Sequence, residues 1–188
     1  MVPGGLDPRE IRTSRLRLRR LRPEDAELIA LFAGDAKVAR MTTRIPHPYP
    51  PGMADAFVAR AARPSQAEEI WALDPDLEAD GGLIGLIRLK TPDGNEAEIG
   101  YWVAPALWGA GYATEAVRAV VDEARRRDLR AVVARVFQNN SASMRVLLRC
   151  GFEYVGEGEV YSVANGGMVP TFRYRLDLDE PAASKAGS

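Results

Sequence analysis

Hydrophobic and polar positions along this chain change their period several times, and each change marks an element. From Arg15 to Leu21 the residues alternate, Leu16 and Leu18 against Arg15, Arg17 and Arg19, which predicts a half-buried strand. Pro23 opens a helix with Glu24 and Asp25 in its positive first turn, and Ala26, Ile29, Ala30 and Ala33 follow at helical spacing. Residues 44–52 hold four prolines and a glycine and read as a loop, followed by a second helix from Met53 to Ala62. Strands are expected at Ile70–Leu73, at Leu83–Leu89 after the Gly81–Gly82 turn, and at Glu96–Val103 after the Thr91–Asn95 turn. These three form an antiparallel meander.

The period then lengthens. Apolar positions 113, 117, 120, 121 and 124 lie on one face of a helix that ends in Arg125, Arg126 and Arg127. The Val-rich run Ala131–Phe137 is a buried strand, and Ser141–Arg149 is a short helix stopped by Gly151. Strands at Val155–Tyr161 and Phe172–Leu178, joined around the Asn165–Gly166–Gly167 turn, close the chain. The order β, α, α, three β, α, β, α, β, β gives a mixed α/β (α+β) fold. One domain over 12–179 is expected, with a flexible segment at 1–11 and a disordered tail at 180–188, both rich in Pro, Gly or small polar residues.

Composition narrows the function more than it defines it. The 188 residues are 46% apolar and 27% charged with a net charge of −1, so no broad electrostatic attraction to nucleic acid or acidic membranes is expected. The 22 Arg against 3 Lys carry no functional inference. Cys150 is alone and forbids an intrachain disulfide; with His47 also alone, no zinc-finger-type cluster can form, and no metal is expected. The first residues lack the apolar core of a signal peptide and no run approaches a membrane span, so a cytoplasmic location is expected.

The stretch Glu98–Val121 carries the chemistry. A strand runs into a loop containing Gly109 and Gly111, and the loop opens directly into a helix. Glycines let backbone turn tightly and approach a ligand, and the first turn of a helix offers unpaired N–H groups and partial positive charge. That combination suits phosphate oxygens. A tight connection without a ligand remains open on the loop alone. A Rossmann dinucleotide site would want glycine where Thr114 stands and a βαβ start where the meander stands.

The run Trp108-Gly109-Ala110-Gly111-Tyr112-Ala113 resembles the coenzyme A pyrophosphate loop of the GNAT superfamily of N-acetyltransferases, Arg/Gln-x-x-Gly-x-Gly/Ala, with Trp108 in place of the leading Arg or Gln. The following Thr114-Glu115-Ala116 is similar to the branch containing ribosomal-protein N-terminal (alanine/serine) acetyltransferases. So are Thr13–Arg19, Leu83-Ile84-Gly85, Ile99-Gly100-Tyr101-Trp102, Asn140-x-x-Ser143 and Leu147-x-x-x-Gly151-Phe152, which fall in that branch's order across residues 13–178. The resemblance implies a mostly antiparallel central sheet flanked by helices and splayed at an acetyl-CoA site.

It also implies roles. Gly109, Ala110, Gly111, Tyr112, Ala113 and Thr114 would hold the pyrophosphate, and the backbone of Trp102, Val103 and Ala104 the pantetheine arm, with core packing as the other role for those side chains. Glu98 would be the general base that takes the amine proton, directly or through water, against the alternative of a solvated glutamate on a strand. Asn140 would contact the pantetheine amides, or cap the helix it precedes. Ser143 would sit near the departing thiolate, or be structural; the position where many relatives carry a tyrosine acid is Leu147. Cys150 reads as a small buried residue rather than an acyl carrier, His47 as an exposed loop residue, and Glu115 as a helix-dipole partner.

The expected activity is acetyl transfer from acetyl-CoA to an amine, a protein N-terminus or a small molecule, by direct attack without an acyl-enzyme. The alternative is a non-catalytic protein that binds or senses acyl-CoA. Expected partners are acetyl-CoA and the amine acceptor, with neither nucleic acid nor membrane, and with homodimerisation left open. Acceptor contacts are expected from helices 23–33 and 53–62, the 41–52 loop and the 160–170 turn.

Overall fold

The computed structural model describes residues 10–63, 65, 67–75, 82–92 and 95–178. The expected tail at 180–188, most of the flexible 1–11 segment, Gly81 and the tip of the Thr91–Asn95 turn lie outside the described residues.

Alternation and apolar runs build strands β1 (Ile11–Arg12), β2 (Arg17–Arg19), β3 (Glu68–Asp74), β4 (Gly85–Lys90), β5 (Glu96–Val103), β6 (Ala131–Phe137), β7 (Glu153–Ser162) and β8 (Gly167–Asp177). Helices are α1 (Asp25–Ala33), α2 (Ala36–Ala39), α3 (Met53–Ala61), α4 (Tyr112–Arg126) and α5 (Ser141–Arg149), with a 3-10 turn at Pro105–Leu107. The strands make one sheet in the order β1-β2-β3-β4-β5-β6-β8-β7. Every pair is antiparallel except β5 and β6, where the chain crosses over through α4.

Period-two alternation sorts side chains between two cores. On β3, Trp71 and Leu73 face the core built with Val117, Val120 and Val121 of α4 and Leu147 of α5. Ala72, with Leu86 of β4, faces the opposite core, built with Ile29 and Ala33 of α1 and Ala54 and Val58 of α3. Central strands covered on both faces need apolar residues at every position, which is why β3 carries the unbroken run Ile70–Leu73 before Asp74. Val117 and Val120 are fully buried, and each contributes about 1.5–3 kcal/mol by leaving water.

Three observations depart from the sequence reading. First, the arginines of β2 do not face solvent. Asp74 Oδ2 accepts from Arg17 Nη2 at 2.9 Å and from Arg19 Nε at 2.7 Å, and Arg19 grips both oxygens of Asp25 at 2.9 Å. Asp74 has no exposed surface, so a charge cluster is buried where a half-polar strand was expected. Second, α1 begins at Asp25 rather than Pro23, because Asp25 also accepts the Arg22 N–H at 2.7 Å and closes the turn before the helix. Third, Ile11 pairs with Leu18, so the end of the segment expected to be flexible is strand; β7 is longer at both ends than expected, and β8 begins at Gly167 instead of Phe172 and ends at Asp177.

Candidate active site

The sheet splits at one place. β5 pairs with β6 only over Glu96↔Ala131, Ala97↔Val132 and Glu98↔Val133. Beyond Glu98 the β5 backbone continues to Val103 hydrogen-bonded to β4 alone, while β6 continues to Phe137 paired with β8 alone. The facing edges of residues 99–103 and 134–137 are therefore unpaired with each other. Such an edge accepts an extended, amide-bearing ligand as an added strand.

The glycine loop stands at the end of β5. Gly109 and Gly111 adopt φ of +82° and +87°, a left-handed backbone that a Cβ disfavours. Gly111 is the N-cap of α4, and the first intrahelical bond runs from the Glu115 N–H to the Gly111 carbonyl at 3.1 Å. The N–H groups of Tyr112, Ala113 and Thr114 therefore point out of the helix end without intrahelical partners. Arg15 holds the loop from behind, donating to the Ala110 carbonyl at 2.9 Å.

Glu115 ties this loop to the N-terminal strands. Its Oε1 accepts from Thr13 Oγ1 at 2.6 Å, from the Arg15 N–H at 2.8 Å and from Ser14 Oγ at 3.1 Å, and Arg15 pairs with its Oε2 at 2.7 Å. Burial pushes the carboxyl up, but the hydrogen bonds from Thr13, Arg15 and Ser14 outweigh it and hold Glu115 below the ordinary carboxylate range. The Glu115 role is thus larger than a dipole partner: it is the pin that joins Thr13–Arg15 to α4.

Trp108 shows what replaces the leading Arg or Gln. Its indole N–H donates to the Val103 carbonyl at 2.7 Å, fixing the loop to the end of β5. Ala104 is engaged within the chain on both sides, its N–H to Ile84 at 2.7 Å and its carbonyl to the Leu107 N–H at 2.9 Å. Strand β5 accordingly turns away at Ala104, and only its edge up to Val103 stays open.

Across the split stands α5. Asn140 caps it, Oδ1 accepting the Ser143 N–H at 3.1 Å, and the residue lines the cavity beside the split. Ser143 Oγ lies 2.8 Å from the Tyr101 hydroxyl. Burial pushes that hydroxyl well above the ordinary tyrosine value, and the Ser143 contact offsets this only in part, so Tyr101 stays protonated. Glu98 precedes Tyr101 by three residues on β5 and so projects from the opposite face of the strand. Its Oε1 accepts from Arg88 at 2.9 Å, its Oε2 sits 3.3 Å from Arg135, and Arg88 also reaches Glu68 at 3.0 Å. Gly100 makes room for this guanidinium: a Cβ there would meet Arg88 Nε at 2.9 Å.

A cavity of about 500 Å³ opens on the α1 and α3 side of the split. Met53, Ala56, Phe57 and Arg60 of α3, Ile29 and Ala33 of α1, and Met41–Ile45 with Tyr49 wall it; Gly100, Trp102, Asn140 and Ser143 line its inner end.

The family model described as an acetyltransferase (GNAT) domain matches residues 15–153, which spans the split strand, the glycine loop and α5. The chain belongs to the GNAT acetyltransferase family. It transfers an acetyl group from acetyl-CoA to an amine, and the non-catalytic alternative is not favoured. It is 25% identical over 167 residues, 87% of this chain and 93% of the other, to the uncharacterized N-acetyltransferase p20 of Bacillus licheniformis. Its fold is similar to RimL, a ribosomal L7/L12 α-N-protein acetyltransferase solved with coenzyme A (TM-score 0.77, 18% identity, 90% of this chain and 98% of that one). It is also similar to the spermidine N-acetyltransferase of Vibrio cholerae solved with coenzyme A and spermine (TM-score 0.73, 21% identity, 88% and 97%).

Within this acetyltransferase the residues singled out from sequence fall into one continuous region. The loop 108–114, the β5 edge, Asn140 and Ser143 surround the split. Glu98 is beside it but does not line the cavity, whereas its partners Arg88 and Arg135 do. The 160–170 turn does not line the cavity either. It braces the lining loop from behind, Ser162 Oγ donating to the Thr42 carbonyl at 3.0 Å and Asn165 to the Arg40 carbonyl at 2.9 Å. Cys150 leans on the Thr114 carbonyl at 3.7 Å, and burial pushes its thiol up, away from thiolate chemistry. His47 is exposed and bonds the Gly34 carbonyl at 3.0 Å, outside the cavity. Tyr101 was missed as a functional residue, since its alternation with Ile99 and Val103 marks it only as core. Among the described residues no cluster of His, Cys, Asp and Glu could hold a metal, and no helix is long and apolar enough to cross a membrane.

Proposed function

We propose that the acetyltransferase holds acetyl-CoA along the open β5 edge with its pyrophosphate on the 109–114 loop, and acetylates an amine seated in the α1–α3 cavity. The observation that carries this reading is the end of β5–β6 pairing at Glu98↔Val133 directly beside a left-handed glycine loop. When bound, acetyl-CoA supplies the thioester carbonyl that the amine attacks and the thiolate that departs.

The chain's own residues do the rest. The N–H groups of Tyr112, Ala113 and Thr114 donate to phosphate oxygens, and Gly109, Ala110 and Gly111 let the backbone come close. The edge at Trp102 and Val103 pairs with the pantetheine arm, Ala104 sets where the strand turns away, and the Asn140 NH2 donates to an arm carbonyl. Glu98 takes the ammonium proton through water, since its carboxylate is beside the cavity and not in it. Tyr101 donates to Ser143 Oγ, which turns the Ser143 proton toward the split, where it hydrogen-bonds the departing sulfur. Calorimetric titration with acetyl-CoA, followed by release of free thiol on adding amines, tests the reading. Binding followed by amine-dependent thiol release supports it; absence of binding removes it.

A further inference from the structure

The acceptor cavity has an uneven charge. Arg44, Arg60, Arg88 and Arg135 line it, with Glu68 as the one carboxylate among the described lining residues. Arg88 already bridges Glu68 and Glu98, and Arg135 lies against Glu98. Two arginines and two carboxylates thus compensate one another. Arg44 and Arg60 are left without an ion pair among the described residues. Arg60 lies over the Phe57 ring at 5.3 Å from its centroid, which keeps its guanidinium at the cavity wall while its charge remains available. The remaining wall is apolar, with Ile45, Tyr49, Met53 and Phe57.

From this charge pattern, and resting on the acetyl-transfer reading of the same cavity, we infer that the acceptor is a small amine joining an apolar body to an anionic group, a carboxylate or a phosphate-like group. The apolar body fills the space between Tyr49, Met53 and Phe57. The anion meets Arg60 and Arg44, whose planar donors suit carboxylate and phosphate oxygens. The amine then points inward to Ser143. A polyamine fits badly: its several positive charges would face the same two uncompensated arginines, with no free carboxylate among the described lining residues to receive them.

The test uses the full chain and matched acceptors: phenylalanine, phenylalaninamide and the corresponding aminophosphonate, with leucine and leucinamide as an aliphatic pair, and spermidine. Affinity is read by calorimetry with coenzyme A present, and kcat/KM by thiol release. The expected result is that each anionic member binds and reacts at least ~10-fold better than its amide, that spermidine is the poorest, and that Arg60→Gln erases the preference while leaving acetyl-CoA affinity unchanged. Arg60 is exposed, so the variant folds, and Arg44→Gln provides the second arm. Equal or better binding of the amides, a preference for spermidine, or an unchanged preference in both variants overturns the inference. Failure of the underlying reading looks different, as absent acetyl-CoA binding, and acceptor titrations without cofactor still decide the charge preference.

Discussion

The Tyr101 hydroxyl of β5 lies 2.8 Å from Ser143 Oγ at the start of α5, across the split between β5 and β6. The two act as a unit in our account, with tyrosine donating to serine and serine turned toward the leaving sulfur. Tyr101→Phe and Ser143→Ala should each lower kcat by about 10-fold, worth ~1.4 kcal/mol, with the Michaelis constant for acetyl-CoA little changed. The double variant should be no slower than the slower single, because the second deletion removes a link already broken. Multiplicative losses in steady-state kinetics would show that the pair does not act together. Asn140→Ala should instead raise the Michaelis constant, since its proposed contact is with the arm throughout the reaction.

Glu98→Gln should reduce turnover by roughly 10²–10⁴ fold while acetyl-CoA affinity stays near wild type. Part of the loss should return at high pH, where more of the acceptor is already the neutral amine. A pH–rate profile checks this. A flat ratio between variant and wild type across pH would leave Glu98 as the ion-pair partner of Arg88 and Arg135 and nothing more.

The sequence made the strongly periodic elements legible. Helix α4 was readable because its buried stripe at 117, 120, 121 and 124 repeats at 3.6 residues, and β6 because its Val-rich run is bounded by polar ends. The left-handed loop was readable because such backbone has a residue signature, glycine at 109 and 111. What was not legible depends on distance along the chain. Tyr101 and Ser143 are 42 residues apart, and nothing local marks their contact. Arg17 and Arg19 follow the pattern of solvent-facing positions, and what makes their burial tolerable is Asp74, arriving across the β2–β3 pair, together with Asp25 of α1. The four-residue α2 is too short to show a period.

That buried cluster gives a stability prediction. Asp74→Ala removes the partner of two arginines and leaves uncompensated charge in the interior, so unfolding free energy should fall by about 3–5 kcal/mol. Denaturant titration measures it. A loss below about 1 kcal/mol would mean that water reaches the cluster.

Glu115 gives a pH dependence. Its carboxyl is held below the ordinary 4.5 of a glutamate, so its ionised form stabilises the fold. That stabilisation is present above about pH 4.5 and is lost as pH falls through the lower folded-state value. Glu115→Gln should therefore be less stable than wild type at neutral pH, and the two melting curves should converge on acidification. A gap that persists or widens toward acid would contradict the sign. The variant should also bind acetyl-CoA more weakly, because Arg15 loses the carboxylate that steers it to Ala110.

Amide resonances report whether acetyl-CoA lies on the backbone of the 109–114 loop and the open β5 edge. In a titration of isotopically labelled protein with acetyl-CoA, the N–H signals of Tyr112, Ala113 and Thr114 should move downfield as they gain phosphate acceptors, with accompanying changes over residues 99–103. Saturable binding that moves other regions and leaves both of these segments unshifted would contradict the account.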